Sequence, residues 1–352
     1  MTKKTLLTLF SCLVGVVIIL QLLYFSAPLP NSVKNGFKRN FLSVNLNIAH
    51  QATYPFETKK ISGATENRYY LTGLHPAWVL VVDSILQTVD TLLFGVQRTE
   101  KFLAPNTVID SPNVYMYASN LSLFLKGQLN NSKITSIPLK TAVFSRSAQI
   151  SPTSLVIRGF DNSQLRQVFK IINCSTGAVS KEAMILDDDH EFGLSNDGNL
   201  YYDDFTSRII YVQSYTNNLL CLDTNLNVLY KGNTIDTFSK INLKIKKHDA
   251  QKEFKITPAN SRNALTLFST VNNGYLYSIS TLKADNEKYE DFRENFPVDI
   301  YQINDGKYLG SFYIPRYKNK KIISIVVKKN KILALYQGNH LLVYNFPSKL
   351  YY

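Results

Sequence analysis

The chain has 352 residues, 45% of them hydrophobic, which is too long for one small core and suits one large repeat domain or two ordinary ones. Its three cysteines include no C-x-x-C pair, so a zinc ribbon or a thioredoxin-type site has no support. The formal net charge of +13 favours contact with polyanions such as nucleic acid, anionic lipid or acidic glycan, or simply a well-solvated basic surface. With 22 Tyr and 20 Phe against a single Trp, the composition leans towards residues that fit a pleated, half-buried surface.

The N-terminus opens with a short head, residues 1–4, expected on the cytoplasmic side. Residues 5–25, TLLTLFSCLVGVVIILQLLYF, carry no charge. As a helix this run rises about 31 Å, enough to cross a hydrocarbon core of about 30 Å. It reads as a transmembrane signal anchor that contacts membrane lipid. A cleaved signal peptide would have a shorter apolar region of about 7–15 residues before small residues, and here only Ser26-Ala27 could serve. A lipoprotein reading would use Cys12, but hydrophobicity continues past it. Lys3 and Lys4 argue for an inside N-terminus and an outside bulk, although Lys34, Lys38 and Arg39 flank the other end. The expected product is a single-pass membrane protein with its globular part extracytoplasmic. Residues 26–38, with Pro28, Pro30 and Gly36, read as a tether.

From residue 39 onwards short apolar runs alternate with turns: Tyr69–Thr72, Trp78–Val82, Val114–Tyr117, Leu155–Ile157, Val168–Ile172, Arg208–Val212, Tyr275–Ile279, Ile322–Val327 and Leu341–Tyr344. Such spacing points to an all-β sandwich, barrel or propeller. A repeat selects among them. An apolar strand ending in Asp or Asn, a turn and a second strand recur at Asp83, Asn173, Asp223, Asn304 and Asn345, with a degenerate copy at Gly127. The copies lie about 40–50 residues apart, the size of a propeller blade. The gap from Asp223 to Asn304 is longer. It holds two apparent insertions, residues 234–260 and 284–296, the second able to form a short helix. Six modules follow, with seven as the alternative if the long gap hides another blade. Phe41–Ile48 alternates and is expected to join the last blade and close the ring.

These strand pairs resemble six-bladed β-propellers of the broad TolB-like and YWTD-like kind. Segments such as FGLSNDGNLYYDD and VDIYQINDGKYLGSFYIP are similar to those of membrane-anchored bacterial envelope propellers. The resemblance spans residues 40–352. It implies a fold and a location outside the cytoplasm, and no activity. Trp-Asp repeats, kelch double glycines and the YWTD tetrapeptide are all missing from the sequence.

Catalytic motifs are likewise missing: there is no G-x-S-x-G, H-E-x-x-H, P-loop or G-x-G-x-x-G. Nothing implies a cofactor or a metal centre. The densest acidic cluster, Asp187, Asp188, Asp189 and His190, is a candidate binding site or else a solvated loop; its spacing is not that of an EF-hand. Lys318, Lys320 and Lys321, with Lys328 and Lys329, form a candidate basic patch for anionic headgroups or glycan, or a lysine-blunted sheet edge. Cys174 and Cys221 are either a disulfide or two buried thiols. The reading is a non-catalytic binding or scaffold propeller in the cell envelope, with a protein or glycan partner and no nucleic acid. The alternative is a propeller hydrolase or lyase acting on glycan or peptide.

Overall fold

A computed structural model describes residues 3–26, 34–75, 77–95, 105–118, 123–140, 144–161, 166–186, 193–240, 245–250, 253–258 and 264–347. Helix α1, Lys3–Ser26, has 24 residues and apolar side chains exposed along its length. It rises about 36 Å and is long and apolar enough to cross a membrane.

Strand β1, Asn47–Thr53, comes next. Then follow four-stranded antiparallel sheets, each one blade. Blade 1 is β2 (Lys60–Ala64), β3 (Arg68–Thr72), β4 (Trp78–Asp83) and β5 (Thr88–Leu93). Blade 2 is β6 (Pro105–Asp110), β7 (Asn113–Ala118), β8 (Leu123–Gln128) and β9 (Asn131–Pro138). Blade 3 is β10 (Phe144–Ser151), β11 (Ser154–Phe160), β12 (Gln167–Asn173) and β13 (Val179–Ala183). Blade 4 is β14 (Gly198–Asp203), β15 (Arg208–Gln213), β16 (Asn218–Leu222) and β17 (Val228–Asn233). A two-stranded hairpin, β18 (Ile245–Ala250) with β19 (Glu253–Pro258), precedes blade 5. Blade 5 is β20 (Thr266–Asn272), β21 (Tyr275–Ser280), β22 (Asn295–Gln302) and β23 (Tyr308–Pro315), with helix α2, Tyr289–Glu294, between β21 and β22. Blade 6 is β24 (Ile322–Lys328), β25 (Lys331–Tyr336) and β26 (His340–Asn345), and β1 supplies its fourth strand. The long gap therefore holds a hairpin and a helical loop, not another blade, and the ring has six blades.

The core divides as a ring requires. Buried side chains form six clusters, one between each pair of neighbouring blades, including one that joins blade 6 to blade 1 through Leu333, Leu335, Leu341 and Val343 against Leu71, Leu80 and Val82. Neither face of a blade can be left in water, so closure buries both and leaves no open end to the stack. Cys174 lies between blades 2 and 3 and Cys221 between blades 4 and 5, so they do not pair and serve as small apolar side chains.

The repeat marker has a common job. Asp83, Asn173 and Asp223 each sit where the third strand meets the turn to the fourth. There the side-chain oxygen accepts backbone N–H groups two to four residues on, Asp223 Oδ1 from Asn225 and Asn227 at 2.8 Å each. In blade 5 this work falls to Asp305, which accepts from Lys307 N at 2.9 Å, rather than to its neighbour Asn304. Leu86 and Leu226 reach the left-handed region in these turns, at φ 71° and 60°, a conformation taken by Gly306 in blade 5.

Ring closure is shifted from the expected segment. The strand that pairs with β26 runs Asn47–Thr53, from Asn47 opposite Asn345 to Thr53 opposite His340. The residues before it lie on blade 5 instead. Phe41 bridges Ser311 of β23 in parallel, Leu42 N donates to the Ser311 carbonyl at 2.8 Å, and Phe41 stacks on Tyr313 at 4.6 Å. One strand's worth of chain thus covers the outer edge of blade 5, and the next completes blade 6.

Two kinds of connection separate the faces of the ring. Turns from first to second and from third to fourth strands emerge on one face and are short. Blade-to-blade links and second-to-third loops emerge on the other, which includes the β18–β19 hairpin and the α2 loop. We call the latter the long-loop face.

Candidate functional site

The first strand of each blade lines a central channel of about 770 Å³. Middle strands of a blade bury both faces, but the first strand turns its free edge and part of its surface to the channel, so it tolerates polar residues. In β10 the run Ser145, Arg146, Ser147 and Gln149 lines this space, facing Asn199 and Tyr201 of β14, Ser269 and Thr270 of β20, Ser324 of β24, and Lys60 of β2. Asn106 of β6 and Tyr117 of β7 complete the blade 2 wall.

The polar groups form local networks. Asn106 Nδ2 donates to Tyr117 Oη at 3.1 Å while its Oδ1 accepts from Lys60 Nζ. Ile61 N donates to Ser324 Oγ at 3.1 Å, tying blade 1 to blade 6. Arg146 donates to Asp197 Oδ2 at 2.9 Å and to the Ser145 carbonyl at 2.8 Å, and its Nε donates to the Gly198 carbonyl. Burial pushes the Tyr117 and Tyr201 phenols up to about 12, so both stay neutral donors. Lys60 and Arg146 belong to the first half of their strands and so mark the mouth of the channel on the long-loop face.

The candidate residues from the sequence fall apart in space. Asp187, Asp188, Asp189 and His190 belong to the link between blades 3 and 4 and lie outside the described residues. The five lysines do not form one patch. Lys318, Lys320 and Lys321 precede β24 on the long-loop face, whereas Lys328 ends that strand and Lys329 follows it on the opposite face. Around the first group, Lys318 Nζ lies 5.1 Å from the Tyr317 ring, and Tyr317 meets His340 edge-on at 5.3 Å. Burial, then Lys318 and Lys320, hold the His340 imidazole below its ordinary pKa. In the second group Lys329 pairs with Glu66, and neighbouring Lys331 donates to Tyr69 Oη at 3.3 Å. Among the described residues no three His, Cys, Asp or Glu side chains converge as metal ligands.

Two features escaped sequence reading. Arg39 is fully buried at the point where the N-terminal segment meets blade 5. Its Nε and Nη2 grip Asp299 at 2.7 and 3.1 Å, and its Nη1 donates to the Leu282 carbonyl at 2.9 Å and to Glu287. Burial opposes its charge, but Asp299 and Glu287 outweigh that and keep the guanidinium firmly protonated. Asn35 and Gly36 add bonds to Asp285 and Lys283 of the β21–β22 loop on the long-loop face. The second feature is an exposed apolar group on blade 1, Leu74, Trp78 and Leu93, which are 68%, 46% and 58% exposed. Trp78 pairs across the sheet with Leu93, and Leu74 lies in the loop just before, so all three occupy the long-loop end of the rim.

The fold and site define a class, a six-bladed β-propeller with a channel of mixed polar and apolar lining whose mouth carries cations. No protein-family model matches the chain, and no curated protein matches it. Solved structures do. The chain is similar to a member of the DUF4221 family from Bacteroides vulgatus, at 14% identity and a TM-score of 0.53 over 88% of this chain and 99% of that one. It is similar to the WD40 domain of Pan2 from Neurospora crassa, at 10% identity and a TM-score of 0.50 over 89% and 98%. BamB from Moraxella catarrhalis matches at 11% identity with a TM-score of 0.43. At such identities the likeness is one of fold.

Proposed function

We propose that this protein is a membrane-anchored, extracytoplasmic binding or scaffold module that presents its propeller to a protein partner. The observation that carries the reading is the Leu74–Trp78–Leu93 group. A half-exposed Trp, the only one in the chain, beside two exposed leucines is the kind of anchor on which protein interfaces concentrate their energy. Placement in the cell envelope, which the TolB-like resemblance implies, is part of the same proposal.

The attachment supports it. Residues 27–33 link the end of α1 to Lys34, a covalent reach of at most about 30 Å. At its far end the chain is gripped through Asn35, Gly36 and Arg39 on blade 5. A propeller held this way stays near the bilayer. Lys318, Lys320 and Lys321 share the long-loop face with that attachment, which suits contact with anionic headgroups.

The test is photo-crosslinking in membranes of the producing cell. A photoreactive residue at Trp78 is expected to yield a protein adduct that stays with the membrane fraction after an alkaline wash, and one at Lys181 on the blade 3 rim to yield none. Adducts from Lys181 alone, or full release of the protein by the wash, would contradict the proposal.

A further inference from the structure

The channel mouth holds a cation that the protein itself does not neutralise. Lys60 is half-buried at the start of β2. Its Nζ donates to Asn106 Oδ1 and, at 3.4 Å, to the Thr107 carbonyl, which uses two of its three N–H donors. Neighbouring cations are treated differently: Lys59 pairs with Glu57 at 2.5 Å and Arg146 with Asp197 at 2.9 Å. Among the described residues no carboxylate pairs with Lys60, and none of the residues lining the channel is Asp or Glu. Desolvation pushes its ammonium down to about 8, so at neutral pH it remains mostly charged. Keeping a charge out of water without a partner is costly, and an incoming anion removes that cost.

The surroundings say what kind of anion fits. Val108 of β6 and Ile323 of β24, in the blades on either side of β2, also line the channel and are only half-buried, so apolar surface flanks the ammonium. The volume of about 770 Å³ lies within the range of small-molecule sites, about 300–1,000 Å³. We propose that the channel binds a small organic anion, its carboxylate or phosphate head on Lys60 Nζ and its apolar body against Val108 and Ile323. This binding site lies inside the ring and stands whether or not a partner docks on the rim.

The experiment titrates the full chain in non-ionic detergent with benzoate, phenyl phosphate and the neutral benzyl alcohol, by calorimetry. At least one of the two anions is expected to bind more tightly than benzyl alcohol, and which of them does so distinguishes a carboxylate from a phosphate head. Lys60→Met is expected to weaken that binding by about tenfold or more, while Lys181→Met on the blade 3 rim leaves it unchanged. In the unaltered protein, binding is expected to weaken between about pH 7 and about pH 9.5 as Lys60 loses its proton, although benzoate stays an anion throughout. This arm holds even if Lys60→Met fails to fold. Equal affinity for benzyl alcohol, unchanged binding in Lys60→Met, no change with pH, or no binding of either anion at about 10 mM would overturn the proposal.

Discussion

Replacing Arg39 with alanine is expected to destabilise the propeller by about 3–5 kcal/mol, far more than a surface substitution. The change leaves Asp299 and Glu287 without their cation, in a place where the Arg39 and Glu287 side chains are fully buried and that of Asp299 is 5% exposed. Ser311 Oγ and Tyr313 Oη still donate to these carboxylates, at 2.6 and 2.7 Å, but neutral donors do not cancel two negative charges. The loss extends to the chain that Arg39 holds in place, including the backbone bonds of Asn40 and Leu42 to Ser311. With that segment loosened, the outer edge of blade 5 is uncovered. Arg39→Lys keeps the charge without the planar fork, so it should fall between wild type and alanine. Urea unfolding of the detergent-solubilised protein measures all three. A midpoint for Arg39→Ala equal to that of wild type would show that the cluster does not hold the segment.

Removing residues 1–53 is expected to have a still larger effect and to prevent recovery of a soluble folded domain. This truncation takes away β1, the fourth strand of blade 6. Strand β26 would then become an open edge, and its Leu341, Leu342, Val343 and Tyr344 are at most 1% exposed in the closed ring. An apolar edge of this kind templates pairing with other chains. Removing residues 1–33 takes away α1 but keeps the Arg39 cluster and β1, so this protein should be soluble and unfold cooperatively. Size-exclusion chromatography and urea unfolding distinguish the two, and equal behaviour would contradict the closure.

How much of this was legible in the sequence depended on what each strand faces. Second and third strands are buried on both sides, so they read as apolar runs: Val79–Val82 in β4 and Leu219–Leu222 in β16 are fully buried. The repeat was built on the third strands, each taken with the turn and the fourth strand that follow it. Fourth strands face solvent, and the exposed runs TVDTLL of β5 and VSKEA of β13 carry no alternation to detect. First strands line the channel, and FSRSAQIS of β10 reads as a loop for that reason. The closing strand was misplaced by about one strand length because Phe41–Ile48 also alternates. Its apolar residues do pack, with Leu42, Val44 and Leu46 lying against the cluster between blades 5 and 6.

The site was less legible than the fold. Lys318–Lys321 and Lys328–Lys329 are neighbours in sequence, but strand β24, which starts at Ile322 and ends at Lys328, carries them to opposite faces. Lys60 is one of two adjacent lysines in the sequence, and only the ring brings it beside Asn106 of the next blade. Arg39 looked like one of several basic residues after the apolar segment, since its partners lie some 250 residues away. An Arg set between Lys38 and Asn40 carries no local signal of a buried ion pair.

In the closed ring the strand nearest helix α1 pairs with β26, the last of the described strands. Asn47 and Asn345 are register partners, and both are exposed. Antiparallel partners place their Cα atoms about 4.5–5.5 Å apart, within reach of a disulfide. Oxidising the Asn47→Cys/Asn345→Cys double variant in isolated membranes should give a fast-migrating monomer on a non-reducing gel, reversed by reductant and missing from either single variant. A double variant that labels freely with maleimide yet never cross-links would contradict the closed ring.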